Sequence, residues 1–281
     1  MKKIALFSLL FLSQFSQAGT WMTSFDEAKK MALATNKFIL VDFWATWCGP
    51  CKQMDMDSWN NMEVNQVLDN YIQVKVDIDN NKDIANKYGI QLIPNMYIMD
   101  ANGKVVYSFE GYHDANALKR ELIKFAYSTS FLSNDLINYS KMKNYSTSTR
   151  VYMKYLDYSL LVDSEEAKNK LINLSVDYLN DAKKDLSKKD ESYDEKKQKL
   201  DLLILFELAY EKKYEKVSKK ISEMKESDIL ENNKNYYYFL KYVTAKALNS
   251  DDFAAIESKS KEIDGFDFYI DKANHILAKA D

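Results

Sequence analysis

Cysteine is nearly absent from this chain: it occurs 2 times in 281 residues, at Cys48 and Cys51. No further cysteine is left for a structural bridge, so the core has to close by packing alone. At 46% hydrophobic and 14% aromatic, the sequence has enough apolar material to do so. Histidine is equally scarce, only His113 and His275, so a tetrahedral zinc site, which needs about four ligands, lacks a second ligand pair. The formal net charge is -3 with acids and bases interspersed, which leaves no polybasic stripe and no support for nucleic-acid binding.

A membrane-spanning helix needs about 20 apolar residues, and the stretch from Ile4 to Leu12 is cut short by Ser13, Gln14, Ser16 and Gln17. Lys2 and Lys3, that apolar stretch, and Ser16-Gln17-Ala18 instead have the three-part build of a secretory signal. With no cysteine at the cleavage site, a lipid anchor is not expected. The expectation is that residues 1–18 are removed and that the chain from Gly19 onward is soluble in an oxidising exported space such as the periplasm.

Chain breakers divide the sequence beyond that segment. Both prolines, Pro50 and Pro94, and most glycines fall before residue 112, while the sequence after about Tyr127 has almost none. Residues 19–127 therefore read as an α/β domain and residues 128–281 as an all-helical one. In the first, the pattern predicts a helix over Ser24 to Thr35, a buried strand over Phe38 to Ala45 and a helix from Cys48 onward. A strand over Ile72 to Ile78 and a helix over Ile84 to Tyr88 come next. Strands over Met96 to Met99 and Val105 to Phe109 are joined by the turn residues Asp100-Ala101-Asn102-Gly103, and a last helix covers Ala115 to Tyr127.

In the second part, helices are predicted over Arg150 to Leu161, Ser164 to Leu186, Glu195 to Tyr210, Tyr214 to Met224, Asn235 to Leu248 and Phe266 to Ala280. The helix pairs resemble tetratricopeptide-like arrays, without a clean repeat. Tyr152, Tyr155 and Tyr158, and Tyr236, Tyr237, Phe239 and Tyr242, recur at helical spacing. Such stripes pack helices against one another or line an exposed aromatic groove.

The chemistry concentrates at Trp47-Cys48-Gly49-Pro50-Cys51, directly after the buried strand. Cysteines at this spacing at a helix start can close a small disulfide ring. The unpaired N–H groups of the helix's first turn favour a thiolate on the first sulfur, a nucleophile near neutral pH. Asp42 sits inside the apolar strand, where an ionised carboxylate is costly to bury.

The run Ile39-Leu40-Val41-Asp42-Phe43-Trp44-Ala45-Thr46-Trp47-Cys48-Gly49-Pro50-Cys51-Lys52 resembles the active-site strand and helix start of the thioredoxin family. The match continues through Lys87-Tyr88-Gly89-Ile90, Ile93-Pro94, Gly103 and Gly111. It covers roughly Ser24 to Tyr127 and leaves the helical part outside.

The resemblance implies a central mixed sheet flanked by helices, with Cys48 attacking a substrate disulfide and Cys51 resolving the mixed disulfide. It implies that Asp42 is a buried acid taking the proton from Cys51, where the residues alone also allow a carboxylate facing water at a strand end. Counting back from Lys87-Tyr88-Gly89 puts Lys75 beside that acid, although Lys75, Asp77 and Asp79 alternating with Val74, Val76 and Ile78 also suit a half-exposed strand. Pro94 corresponds to the family's cis-proline, or is simply a strand-edge proline. With Trp47, Gly49, Pro50 and Ile93 it would frame a flat substrate-binding patch around Cys48.

Two departures stand out: Asn95 replaces the usual threonine after that proline, and Met56 stands about where a helix-bending proline belongs. Asp55-Met56-Asp57-Ser58-Trp59 resembles the variant of exported thioredoxin-like proteins and of membrane thiol transporters. The implied function is a thiol-disulfide oxidoreductase that reduces disulfides of exported proteins and is recharged by a membrane thiol transporter. It would use no cofactor beyond its own redox-active disulfide. A disulfide isomerase or oxidase, a partner-binding adaptor and a thiol peroxidase are the alternatives, and the helical part could select substrates, form a homodimer or mask the site.

Overall fold

Ser24 opens the first helix by accepting, through its hydroxyl, the Glu27 N–H at 3.3 Å, and Asn36 closes it in the left-handed region at φ 56. This helix is α1, Phe25–Thr35, in a computed structural model that describes residues 21–278. The expected export signal lies outside the described residues. The strands are β1 (Phe38–Trp44), β2 (Tyr71–Asp77), β3 (Asn95–Met99) and β4 (Val105–Glu110), in the order β2-β1-β3-β4. β1 runs parallel to β2 and antiparallel to β3, and β3 and β4 form a hairpin. This is the expected thioredoxin fold with a mixed sheet.

Because β1 lies inside the sheet and is covered on both faces, its sequence is apolar almost throughout. Ile39, Val41 and Phe43 pack with Phe25, Ala28 and Ala32 of α1. Phe38 and Leu40 face the opposite layer, built from α2 (Gly49–Asp57), α3 (Met62–Leu68) and α5 (Ala115–Ile123).

The single helix expected from Cys48 onward is two. After Asp57 the chain turns so that Ser58 and Trp59 become buried, the Ser58 hydroxyl donates to the His113 carbonyl at 2.7 Å, and Asn61 caps α3. α4 (Lys82–Lys87) starts earlier than expected, and α5 stops before Tyr127 because Phe125 turns in to stack on Tyr107, with ring centroids 4.9 Å apart. In the hairpin turn Gly103 has φ 78, and a Cβ there would meet the Tyr88 hydroxyl at 2.9 Å.

The remaining elements are helical: α6 (Ser133–Lys141), α7 (Tyr145–Ser159), α8 (Glu165–Asp185), α9 (Tyr193–Tyr210), α10 (Tyr214–Ser222), α11 (Lys234–Ala247), α12 (Phe253–Lys261) and α13 (Asp267–Ala278). α6 and α12, nine residues each, are not among the helices expected from the sequence. α7 begins at Tyr145, not Arg150, since Asn144 and Thr147 form a capping box. The aromatic stripes are core: Tyr152, Tyr155, Tyr158, Tyr237, Phe239 and Tyr242 are all buried, which removes the exposed-groove alternative for them.

The composition shift near residue 127 marks a change of secondary structure, but the apolar core runs across it, from Leu40 and Ile98 through Phe125 and Tyr155 to Phe239. The β3–β4 turn is the bolt. Asp100, fully buried, accepts the backbone N–H groups of Asn102 and Lys104 at 2.9 Å each on one oxygen. Its other oxygen accepts the hydroxyls of Tyr155 from α7, at 3.1 Å, and Tyr178 from α8. Lys104 reaches Asp181 of α8 at 2.8 Å, and α8 packs along β4, covering an edge strand of the sheet. Asp100→Ala would leave both tyrosine hydroxyls and two turn N–H groups without their acceptor. It is expected to lower the unfolding free energy in urea by about 3 kcal/mol or more, whereas the exposed Ser108→Ala should change it by less than about 0.5 kcal/mol.

Candidate active site

Where β1 ends, the chain makes one tight turn, with the Cys48 N–H donating to the Ala45 carbonyl at 3.1 Å, and enters α2. Cys48 is the N-cap of that helix, and Pro50, which lacks an N–H, occupies the first turn, where the helix has no partner to offer one. Cys48 and Cys51 form a disulfide, S–S 2.01 Å and Cα–Cα 5.3 Å, and the Cys48 sulfur accepts the Cys51 N–H at 3.2 Å. Both cysteines are only 3% exposed and are packed by Ala45, Trp44, Ile78 and Ile93. Trp47 beside them is 66% exposed, its indole N–H held by Asp79 at 2.8 Å. The Ile93–Pro94 peptide bond is cis, and the Pro94 carbonyl accepts the Gly111 N–H at 2.8 Å. The packing around the disulfide thus draws on the cysteine turn, the end of β2 and the loop before β3. Among the described residues, no group of three His, Cys, Asp or Glu side chains is placed to hold a metal.

Asp42 does not face water at a strand end. Parallel pairing of β1 with β2 sets it opposite Lys75, on the layer beneath α2, where it is 2% exposed. One carboxylate oxygen has no hydrogen-bond partner among the described residues, and the other lies 3.6 Å from the Lys75 ammonium. Lys75 is half-buried and forms its close ion pair with Asp55 of α2, flanked by the rings of Trp21 at 5.3 Å and Trp44 at 5.7 Å. Burial pushes the Asp42 carboxyl up to about 6, with Lys75 opposing and the Asp55 charge adding to the rise.

Neither Asp55, which the sequence marks only as part of the run Asp55-Met56-Asp57-Ser58-Trp59, nor Trp21 is among the expected site residues. Asp55 stands four positions after Cys51, on the same side of a helix, and that spacing was the available signal. Trp21 had none. It reaches the site because Met22 pairs with the free edge of β2, exchanging backbone hydrogen bonds with Gln73 and Lys75 at 2.9 Å each.

Residues 20–124 match the family model Thioredoxin. A thioredoxin of Chlorobaculum thiosulfatiphilum is 37% identical over 94 residues, which is 32% of this chain and 81% of that protein. The chain belongs to the thioredoxin family. Thioredoxin Y, chloroplastic, of Oryza sativa subsp. japonica is 41% identical over 101 residues, 36% of this chain and only 56% of that protein. The oxidised C-terminal domain of DsbD from Neisseria meningitidis superposes with a TM-score of 0.34 at 22% identity, covering 38% of this chain and 99% of that one. The match to the family ends at residue 124, before the helical region. As a thioredoxin-family member with its cysteine pair intact, the protein is a thiol-disulfide oxidoreductase.

The raised Asp42 carboxyl has a consequence for stability with a definite sign. Its folded value of about 6 exceeds the unfolded value of about 3.9, so the native state favours the protonated acid. Below about pH 4 the group is protonated in both states and costs nothing. As pH rises through 6 the cost grows to about 3 kcal/mol. Asp42→Asn, neutral at every pH, is therefore expected to be more stable than wild type by about 2 to 3 kcal/mol in urea unfolding at pH 7, the gain vanishing near pH 4.

Proposed function

We propose that the protein reduces disulfides of other exported proteins. The observation that carries the exchange chemistry is the place of the Cys48 sulfur, at the N-terminus of α2 and accepting the Cys51 N–H, where the same donor and the helix's positive end would hold a thiolate; this makes Cys48 the attacking sulfur and does not by itself set the direction. In the reduced protein the Cys48 thiolate attacks one sulfur of a substrate disulfide, and the other sulfur leaves as a thiol. Cys51 then attacks Cys48, releasing the second substrate thiol and reforming the Cys48–Cys51 disulfide, so two electrons pass from the dithiol to the substrate. Asp42 takes the Cys51 proton in that second step. The exposed Trp47, Gly49 and Pro50, together with the half-buried Ile93 and the buried Pro94, are the residues against which the substrate chain would lie.

The reducing direction draws support from Gly49-Pro50 between the cysteines, which resembles the reducing members of the family. Export draws support from Lys2, Lys3, Ile4 to Leu12 and Ser16-Gln17-Ala18. A reductant in an oxidising space has to be recharged, so the partner assigned to it is a membrane thiol transporter.

Cys48→Ser is expected to abolish reduction of insulin disulfides, and Cys51→Ser to accumulate mixed disulfide. Activity of Cys48→Ser equal to wild type would remove the enzymatic reading and leave an adaptor. The potential measured against glutathione should lie nearer that of thioredoxins, about −270 mV, than that of the periplasmic oxidant, about −120 mV, and a value near the latter would reverse the direction.

Resolution of the mixed disulfide should slow as pH falls through about 6, because Asp42 is then already protonated. Asp42→Ala should slow it about 100-fold at pH 7, followed by stopped-flow.

A further inference from the structure

We propose that Asp55 is a positioning residue for the thiol chemistry: it draws the Lys75 ammonium off the buried Asp42 and leaves Asp42 free to exchange a proton. The lysine stands between two carboxylates and does not divide itself evenly. It makes a direct ion pair with Asp55, while its nitrogen remains 3.6 Å from Asp42, beyond ordinary hydrogen-bond range. The rings of Trp21 and Trp44, at 5.3 and 5.7 Å, attract the ammonium from their faces and fix it in this position. Among the described residues, Asp42 is thus a carboxyl buried with one oxygen unpartnered and with its neighbouring cation, Lys75, turned toward another acid.

Were Asp55 neutral, a small movement of the flexible lysine would close the gap to Asp42 and hold it as a paired anion, which resists protonation. The Asp55 charge itself acts in the same direction, adding directly to the raised Asp42 carboxyl. The charged groups that reach Asp42 are Lys75 from β2 and Asp55 from α2. From β3 the residue opposite is Met96, which does not titrate. Cys51 lies one helical turn before Asp55, so the residue that manages the lysine rides on the same helix as the resolving thiol. The catalytic meaning rests on the proton-accepting role of Asp42 proposed above, whereas the partition of Lys75 does not.

The test is an NMR titration of the Asp42 carboxyl carbon in the oxidised protein, a readout independent of activity. Asp55→Asn is expected to lower the Asp42 midpoint by about one unit or more, and Asp55→Glu to keep it near wild type. With Lys75→Met already present, Asp55→Asn should move the midpoint less than half as far. An unchanged or raised midpoint in Asp55→Asn overturns the proposal, as does an equal shift with and without Lys75, which would make Asp55 a simple charge. The pH profile of mixed-disulfide resolution should follow the NMR midpoint downward in Asp55→Asn. An NMR shift that the profile does not follow would support the partition of Lys75 and refute instead the proton-accepting role of Asp42. Asp55 is only half-buried on α2 and belongs to no apolar cluster, so its substitution leaves the core packing untouched.

Discussion

Burial of β1 on both faces is the constraint on which the rest of the molecule depends. A strand covered by α1 on one side and by α2, α3 and α5 on the other has to be apolar, and it is, except at Asp42. The same strand delivers Cys48 at its end, one tight turn before α2. One element therefore creates the dry environment that raises the proton affinity of Asp42 and places the disulfide at the rim of that environment. The cysteines are nearly covered, and Trp47 beside them is largely open to solvent. Exchange chemistry needs both conditions: a sulfur held by fixed dipoles and a surface where a partner chain can lie.

The helical region leaves that surface uncovered. β3 pairs with β1 so that Asn95 lies opposite Phe43 and Met99 opposite Ile39, which puts the β3–β4 turn at the end of the sheet away from Cys48. At about 3.3 Å per residue the separation is roughly 15 Å or more. The anchor formed by Asp100, Tyr155 and Tyr178 is at that remote end, and the residues packed around the disulfide all come from the first part of the chain. Masking of the site, one of the roles open to this region on sequence grounds, is not what the geometry provides. The buried Asp100 is costly unless fully hydrogen-bonded, and its four donors come from both sides of the boundary, so the carboxyl is satisfied only when the two parts are together.

Legibility followed the range of the interactions. β1, the helix start at Cys48 and the β3–β4 hairpin were readable because each rests on neighbours in sequence: an apolar run, a capping cysteine followed by proline, a turn rich in Asp, Asn and Gly. The break between α2 and α3 was not, since it depends on Ser58 reaching His113 and on Trp59 entering the core. α6 and α12 are only nine residues each and pack through Leu136, Tyr139 and Ile256 onto the shared core.

The sequence by itself determined the α/β-then-helical order, the redox-capable cysteine pair and the presence of a carboxyl in an apolar strand, because spacing and periodicity encode local geometry. Only the tertiary structure decided that Lys75 sits between Asp42 and Asp55 inside a pair of tryptophan rings, and that the two parts share one core around Asp100. Those contacts join residues from Trp21 to Tyr178 that no periodic pattern relates. Their energies arise from burial and charge at close range, which exist only once the chain has folded.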